Sequence, residues 1–183
     1  LCSIRRKRCD MSDGRQTIEL QALGLTKVFG SGAGSIELFK DLDLVVRSGE
    51  RIAIVGASGA GKSTLLNILG TLEKPGGGKV LYAGQDVFVS GERELANFRN
   101  RNIGFVFQFH YLLPEFNALE NVMMPGMIAG LPRAETKSRA EELLEILGLS
   151  ARLGHRVGEL SGGEQQRVAV ARALLLRPRL FLA

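Results

Sequence analysis

Cysteine is almost absent from this sequence, and the two cysteines that it has lie near one end. Cys2 and Cys9 both fall within the first ten of the 183 residues. A chain without further cysteine cannot be a disulfide scaffold, and its composition suits a reducing cytoplasm. A metal or redox pair at Cys2 and Cys9 would need a second pair of ligands that is not near, so we interpret both as stray thiols.

Long apolar runs are also absent. No run approaches the roughly 20 residues that a membrane-spanning helix needs, and no secretory apolar segment follows the basic start of the chain. Apolar residues make up 45% and charged residues 23% of the sequence, which are ordinary values for a globular protein with a sizeable core. The composition therefore predicts one globular domain.

Positive charge is concentrated at the start of the chain. The formal net charge is +5, of which residues 1–10 contribute +3 and the remaining residues +2. We therefore expect no nucleic-acid partner for the body of the protein. Because the chain begins with leucine and Met11 follows the basic stretch, we interpret residues 1–13 as a basic disordered tail and Met11 as the native start. The alternative is a basic arm for anionic lipid or nucleic acid.

A glycine-rich loop carries the clearest chemical signal. It follows a β-branched run, Arg51–Val55, and precedes a helical segment, Leu65–Leu69. Strand, glycine-rich turn and helix are the context of a phosphate-binding P-loop with the pattern G-x-x-x-x-G-K-[ST]. We predict that the nucleotide is bound by the nine residues of this loop, Gly56, Ala57, Ser58, Gly59, Ala60, Gly61, Lys62, Ser63 and Thr64.

Each part of the loop has a physical role. Glycines let several backbone N–H groups point at the phosphates, and the following helix adds the positive end of its dipole. Lys62 would place its charge on the β- and γ-phosphates, and the Ser63 hydroxyl would bind Mg²⁺. The competing interpretation is a Gly/Ser turn with a surface lysine, which the strand–helix context disfavours.

Strands are predicted on both sides of a second glycine-rich stretch. Residues 17–46 alternate as strands do, around a flexible turn that begins after Phe29. Phe29 could stack on a purine base or pack as a core or edge aromatic, and the residues alone do not separate the two. Beyond the P-loop we expect a helix over 62–72, a hairpin strand over 79–84 and a surface helix over 91–99.

A buried strand is predicted over Ile103–Phe107, and Gln108 ends it. Ligands bind at the carboxyl ends of strands in open α/β sheets, so Gln108 is expected to face the nucleotide. The next residues, 109–116, are unusually apolar for a connection and indicate either a subdomain core or a docking surface. His110 and His155 have no partner motif, so packed histidines are favoured over ligands or acid–base groups.

An amphipathic helix is predicted over Thr136–Leu147, and residues 109–160 read as a helical insert. A second motif, Leu160–Arg167, opens the next helix. Ser161 and Glu164 have capping-box spacing, which is a purely structural interpretation. Two glycines in the first turn, Gly162 and Gly163, cost a helix roughly 1 kcal/mol each relative to alanine, and a cap alone does not need them. Bare backbone at a helix start suits close approach to an anion.

The P-loop, Gln108 and Leu160–Arg167 occur in the order and approximate spacing of the ATP-binding cassette (ABC) ATPases, which the chain resembles over residues 17–183. The resemblance implies an α/β fold with a P-loop NTPase (RecA-like) core, an antiparallel β subdomain and a helical subdomain at about 109–160. The nucleotide-binding domain would span residues 14–183, with its C-terminal part missing. ATP and Mg²⁺ would be the cofactors.

In that family two subunits pair head to tail, with ATP between the P-loop of one and the signature helix of the other. By resemblance, Ser161, Gly162, Gly163 and Glu164 would form the signature contact to the γ-phosphate across the dimer. Gln108 would be a catalytic residue near the attacking water, Ser63 and Gln108 would hold the metal, and Phe29 would stack on adenine.

A narrower resemblance is to the lipoprotein-releasing ATPases of the family, carried by residues 104–114 and 118–122. MacB-type exporters and FtsE-type cell-division ATPases are the alternatives. The resemblance implies an ATPase subunit at the cytoplasmic face of the inner membrane, with polytopic transmembrane subunits docked on the helical insert.

The sequence departs from the family after Leu180–Ala183, where members continue with an Asp for Mg²⁺ and a catalytic Glu. A general base contributes about 10²–10⁴-fold in rate, so we expect the 183 residues to bind ATP but hydrolyse it poorly. Two other classes remain as alternatives. A soluble ABC ATPase of DNA maintenance would need coiled-coil or zinc insertions that are absent, and a P-loop kinase or GTPase would not need Leu160–Arg167.

Overall fold

The computed structural model describes residues 3–7, 17–30, 35–107 and 110–183, with side chains from residue 17 onward. No helix in these ranges is long and apolar enough to cross a membrane. The strands are β1 (Ser3–Lys7), β2 (Ile18–Phe29), β3 (Ile36–Arg47), β4 (Arg51–Val55), β5 (Gly77–Tyr82), β6 (Gln85–Asp86), β7 (Ile103–Phe105) and β8 (Leu180–Leu182). The helices are α1 (Lys62–Leu69), α2 (Glu92–Asn102), α3 (Ala118–Ile128), α4 (Arg133–Ile146) and α5 (Gly162–Leu174).

The first of two compact units, Leu1–Leu95, contains an antiparallel sheet with strand order β3-β2-β5-β6. Leu20 of β2 lies opposite Val46 of β3 and Tyr82 of β5. Leu20, Ala22 and Leu25 are fully buried, and the register shift between Ala22 and Leu25 keeps the third apolar side chain on the core face. The predicted antiparallel subdomain is confirmed.

The strand that leads into the P-loop, β4, pairs antiparallel with β1, from Ser3 opposite Val55 to Lys7 opposite Arg51. The sequence predicts a disordered tail over residues 1–13, and the structure differs for residues 3–7. An unpaired strand presents a row of free N–H and C=O groups. The chain start supplies partners for those of β4, which the basic composition of the tail did not indicate.

The second unit, Ala96–Ala183, packs α3, α4 and α5 around one apolar core. The core is made of Ala118, Val122, Met123, Ala140, Leu144, Leu149, Leu160, Val168, Ala171 and Leu175. β7 and β8 add a parallel pair, with Ile103 opposite Leu180. Because α5 shares this core, the packed unit extends past residue 160. The domain boundaries expected at 13/14, 109 and 160 stay predictions.

Candidate functional site

The glycine-rich loop bends as a P-loop requires. Gly59 and Gly61 have φ of +78° and +80°, a left-handed conformation that favours glycine. Gly61 is the residue before α1, and no side chain caps that helix. Leu65 donates the first intrahelical bond, to the Gly61 carbonyl at 2.8 Å. The N–H groups of Lys62, Ser63 and Thr64 precede it at the positive end of the helix, where an anion is stabilised.

Lys62 folds back over the loop. Its Nζ donates to the carbonyl oxygens of Gly56 at 2.9 Å and Ala57 at 2.7 Å. The Ala60 amide donates to the Ala57 carbonyl at 3.2 Å, which closes a turn inside the loop. The ammonium group therefore lies at the mouth of the loop, held by backbone oxygens that a phosphate group would replace as acceptor.

The neighbouring hairpin of β2 and β3 brings Leu38 against the loop. A Cβ at Gly61 would lie 3.2 Å from the Leu38 Cβ, so β3 packs directly on the loop. Phe29 pairs with Ile36, two residues before Leu38 on β3. Strand geometry then separates the Cα atoms of Phe29 and Leu38 by roughly 8 Å.

Phe29 presents its ring to solvent: its side chain is 46% exposed. The Lys27 Nζ lies 5.2 Å from the ring centroid, and it is anchored by Glu73 at 2.7 Å and by the Lys74 carbonyl at 3.1 Å. A ring held on one side by a cation and open otherwise can accept a planar base. Exposure disfavours the core interpretation and leaves the stacking role a prediction.

The second motif begins α5 as a capping box. The Glu164 amide donates to the Ser161 Oγ at 3.3 Å, and the Ser161 amide donates to Glu164 Oε2 at 2.8 Å. The Ser161 hydroxyl also donates to Glu164 Oε2 at 2.8 Å. The capping box that the spacing indicates is therefore present, and its hydrogen bonds engage one oxygen, Oε2, of the Glu164 carboxylate.

Arg152 occupies the other oxygen. Its Nε donates to Glu164 Oε1 at 2.9 Å. This bond, followed by the bonds from Ser161, lowers the pKa of Glu164 to about 2. Glu164 therefore stays ionised and fully engaged with its own chain, which suits it to shape the helix start rather than to contact a phosphate directly.

The two glycines are not explained by packing within the described chain. A Cβ at Gly162 would meet nothing within 4 Å, and a Cβ at Gly163 would meet only Arg167, at 3.9 Å. Both residues are exposed and have ordinary φ values. Since neither packing nor backbone conformation requires glycine, the bare backbone here is available to a ligand or partner that approaches α5 closely.

Gln108 lies outside the described residues, so its predicted contacts stay a prediction. The described stretch from His110 to Leu113 is held by hydrogen bonds within the second unit. Arg172 of α5 donates to the carbonyls of His110 at 2.6 Å and Tyr111 at 2.7 Å. Asn121 of α3, fully buried, binds both the amide and the carbonyl of Leu113.

The sequence analysis gave no structural role to Arg152, which holds Glu164, or to Asn121 and Arg172, which hold the stretch from His110 to Leu113. Arg152 is 12 residues from its partner, and Arg172 is 61 and 62 residues from its partners. The one local signal was Asn121, four residues after the capping residue Asn117 in a helix that is apolar from Val122 onward. A buried amide there needs partners, which could have been foreseen.

The two histidines are part of the packed backbone of the second unit. His155 accepts the Ala118 amide on its carbonyl at 2.9 Å, and its Nε2 lies 3.4 Å from Arg152 Nη1. His155 also borders a shallow cavity of about 400 Å³ with Ser150, Ala151, Leu153, Gly154 and Glu159. Within the described ranges, no group of three His, Cys, Asp or Glu side chains could hold a metal ion.

Ser63 is the residue of the loop that the sequence predicts as a metal ligand. It is exposed in the first turn of α1, next to Lys62. A hydroxyl oxygen suits Mg²⁺, which usually takes one or two protein oxygens together with phosphate oxygens and water. The loop thus fits a magnesium nucleotide better than a free metal ion.

Comparison with known proteins gives a consistent picture. A family model described as "ABC transporter" matches residues 39–183. The chain is 59% identical over 164 residues to the "Lipoprotein-releasing system ATP-binding protein LolD" of Geobacter metallireducens, a match that covers 90% of this chain and 73% of that protein. The protein of the same name from Syntrophus aciditrophicus is 55% identical, with 90% and 74% covered.

A solved structure shows the same architecture. The "ATP-binding cassette MJ0796 bound to ADP and Pi", a dimer in a post-hydrolysis state, matches with a TM-score of 0.80 and 38% identity. The match covers 90% of this chain and 72% of that one. The P-loop NTPase fold predicted from the sequence is confirmed.

Proposed function

This chain belongs to the ABC transporter family, and from that premise we propose that it is the ATP-binding subunit of a lipoprotein-releasing transport complex at the inner membrane. The observation that carries the nucleotide site is the P-loop, whose Lys62 ammonium lies at the mouth of an uncapped helix start. The cargo is proposed from the relatives named above, which share more than half of their residues with this chain over the matched length.

The proposed site is composite. The P-loop residues 56–64 of one copy would bind the α- to γ-phosphates, with Mg²⁺ on Ser63 and Gln108, and Phe29 would stack on adenine. Ser161, Gly162 and Gly163 of a second copy would close on the γ-phosphate from the other side. The open space at both glycines supports this closure, because no atom of the described chain occupies it.

Each group has a defined task. Bound Mg²⁺ would neutralise phosphate charge and orient the phosphates. Lys62 would transfer its hydrogen bonds from the Gly56 and Ala57 carbonyls to phosphate oxygens. Glu164 would keep α5 capped, so that the amides of its first turn point at the nucleotide of the partner copy. Gln108 would orient the attacking water.

Hydrolysis belongs to the family, and we propose that these 183 residues bind ATP more readily than they hydrolyse it. Glu164 is the carboxylate in the first turn of α5, and it is held by Arg152 and Ser161. A carboxylate whose pKa is lowered to about 2 is a weak general base. In the transport complex, ATP binding would close the dimer and hydrolysis would reopen it, and this movement would drive transport.

We further propose that the protein lies at the cytoplasmic face of the membrane and that residues 109–160 receive polytopic transmembrane subunits. Export of the MacB type and cell division of the FtsE type are the alternatives within the family. DNA maintenance is the alternative from another class.

The test of the nucleotide site is ATP binding by the purified chain, measured by isothermal titration calorimetry with Mg²⁺. We expect Lys62→Ala to weaken binding by about tenfold or more, because charged hydrogen bonds contribute about 1.5–3 kcal/mol each. Lys79→Ala, which removes an exposed lysine of β5, is the matched control. Equal affinity of K62A and the unchanged chain would overturn the proposal.

A further inference from the structure

The turn at His110 and Tyr111 is strained. Both residues are non-glycine and have positive φ, +53° and +45°. The left-handed region costs an L-residue of order 1 kcal/mol or more, so two in succession persist only when the surroundings hold them. The His110 amide donates to the Phe107 carbonyl at 3.0 Å, whereas the carbonyls of His110 and Tyr111 accept from donors of another element.

Arg172 supplies those donors from α5. Its Nη2 donates to the His110 carbonyl at 2.6 Å and its Nη1 to the Tyr111 carbonyl at 2.7 Å. A guanidinium is a planar fork with fixed donors, so it can hold two neighbouring carbonyls at once, whereas an ammonium group is a single point charge. The two left-handed residues present their carbonyls to that fork.

The charge on Arg172 is used on the backbone alone. Arg172 has no carboxylate partner among the described residues, unlike Lys27, Lys137 and Arg152. Arg172 is half-buried, and burial lowers its pKa. Burying a cation without an anion is unfavourable unless its hydrogen bonds compensate. The two hydrogen bonds to the turn provide that compensation, which an arginine fully exposed at the surface does not need.

α5 touches the same stretch of chain at a second point. A Cβ at Gly104 would lie 2.5 Å from the Ala173 carbonyl oxygen, so β7 packs directly against the backbone next to Arg172. Beyond the turn, Leu113 is bound by the buried Asn121 of α3. The turn is therefore held at two points, by Arg172 of α5, the helix that Ser161 caps, and by Asn121 of α3.

We propose that Arg172 is a positioning residue that fixes the turn at His110 and Tyr111 to α5, so that the turn follows α5 when nucleotide binds at the start of that helix. The response of the turn to nucleotide rests on the proposed function. The clamp, by which we mean the two hydrogen bonds from Arg172 to the carbonyls of His110 and Tyr111, does not. The side chains of Tyr111 and Leu113 are exposed, so the clamp also sets where two apolar groups meet a partner.

The test is hydrogen–deuterium exchange of the full chain, followed by mass spectrometry on peptides that cover residues 107–116. Without nucleotide, we expect Arg172→Gln to exchange about tenfold faster or more in this stretch, because two charged hydrogen bonds are lost. Arg172→Lys should fall between, since an ammonium can reach one carbonyl at a time, and it serves as the readable variant if R172Q does not fold. Arg133→Gln, an exposed arginine at the start of α4, is the control.

With ATP and Mg²⁺, exchange at 107–116 should change in the unchanged chain. It should stay unchanged in R172Q, although R172Q retains ATP affinity within about threefold because Arg172 is outside the P-loop. If Arg172 only stabilised the fold, its substitution would lower the thermal stability of the chain, but ATP binding would still change the exchange at the turn. Protection in R172Q equal to that of the unchanged chain, or a persisting ATP response, would overturn the inference.

The two proposals fail in different ways. If the unchanged chain does not bind ATP, the proposed function and the coupling half of the inference fall together. The clamp is then still judged by the nucleotide-free exchange of R172Q and R172K.

Discussion

Glu164 shows how one side chain can serve a site without touching the ligand. Both of its carboxylate oxygens are engaged, one by Ser161 and the other by Arg152. These bonds favour the ionised form and lower the pKa of Glu164 from 4.5 to about 2. A carboxyl group that is more acidic in the folded state stabilises the fold above its unfolded pKa.

The stabilisation by Glu164 should therefore be complete above about pH 4.5 and should be lost as the pH falls toward 2. We expect Glu164→Gln to unfold at lower urea concentration at pH 7 and to show a shallower loss of stability between these two pH values. The measurement is the urea midpoint at a series of pH values.

The matched control for this experiment is Glu141→Gln, because the Glu141 carboxylate is exposed and pairs with Lys137 at 3.6 Å. Its pH profile should follow that of the unchanged chain. If E164Q and E141Q have the same pH slope, the bonds from Arg152 and Ser161 do not hold the carboxylate as described.

At the residue scale, contacts that are close in sequence could be predicted and contacts that are distant could not. The spacing of Ser161 and Glu164 indicated their capping box because both lie in one helical turn. The pattern around Lys62 predicted the bend at Gly59 and Gly61. Arg152 and Arg172 look like surface cations in the sequence, since their partners depend on how helices pack, which no local pattern contains.

The first turn of α5 is less stable than it would be with alanine, because it begins with two glycines. Gly162 and Gly163 are the first two residues of the helix; a Cβ at Gly162 would meet nothing within 4 Å, and one at Gly163 would meet only Arg167, at 3.9 Å. Alanine is favoured over glycine in a helix by up to about 1 kcal/mol. The helix would therefore be more stable with alanine at these positions. Glycine is favoured there only if a ligand or partner needs the space beside the backbone.

We expect Gly162→Ala and Gly163→Ala each to raise the free energy of unfolding by about 0.5–1 kcal/mol, as measured by urea denaturation. The same variants should weaken ATP-driven dimer formation, measured by light scattering coupled to gel filtration. Stability and assembly should thus change in opposite directions.

Gly154→Ala is the control, because Gly154 also has an ordinary φ and a methyl group added there would meet nothing within 4 Å. It should leave dimer formation unchanged. Normal ATP-driven dimers of G162A and G163A would contradict the proposed role of the bare helix start.

Element types were predicted better than their ends. The P-loop helix was expected to reach Leu72 but ends at Leu69, where Gly70 terminates the helix and Thr71 takes a φ of +60°. α4 begins at Arg133, directly after Pro132, rather than at Thr136. Apolar periodicity predicts where a helix is buried, whereas its ends depend on single residues that leave the helical conformation.

The whole molecule exposes several large apolar side chains in its second unit. Within residues 109–160 these are Tyr111, Leu113, Met127, Ile128 and Ile146. The first unit also exposes large apolar side chains, and such side chains form a partner surface where they adjoin one another. The exposure within residues 109–160 agrees with the proposed docking of transmembrane subunits on the helical insert. Tyr111 and Leu113 belong to the stretch 109–116, which the residues alone left open as either a subdomain core or a docking surface.

We expect the chain to co-purify with polytopic membrane proteins from detergent-solubilised inner membranes and not to be retained on DNA beads. Ile128→Ser should reduce this co-purification several-fold, because it removes an exposed apolar contact of about 1–2 kcal/mol. Mass spectrometry of the retained proteins is the readout.

Val89→Ser is the matched control, since Val89 is 80% exposed but belongs to the first unit. It should leave co-purification unchanged. Retention on DNA that competes with membrane partners would favour the DNA-maintenance alternative instead.

At this scale the sequence predicted the class of protein from three motifs in order, and comparison confirmed the family over residues 39–183. The pairing of strands was harder to predict. β1 pairs with β4 across more than forty residues, and a basic tail gives no apolar signal for that partner. Long-range pairing depends on which edges remain free, which a local pattern does not reveal.

The sequence has no tryptophan and two tyrosines, and these two tyrosines differ widely in solvent exposure. Tyr82 is 6% exposed and its hydroxyl donates to the Leu69 carbonyl at 2.5 Å, whereas Tyr111 is 63% exposed on the turn that Arg172 holds. The molecule therefore carries its own optical reporter. A soluble quencher reaches the Tyr111 fluorophore and not the Tyr82 fluorophore, so the quenchable share of the tyrosine emission follows the turn without any attached dye.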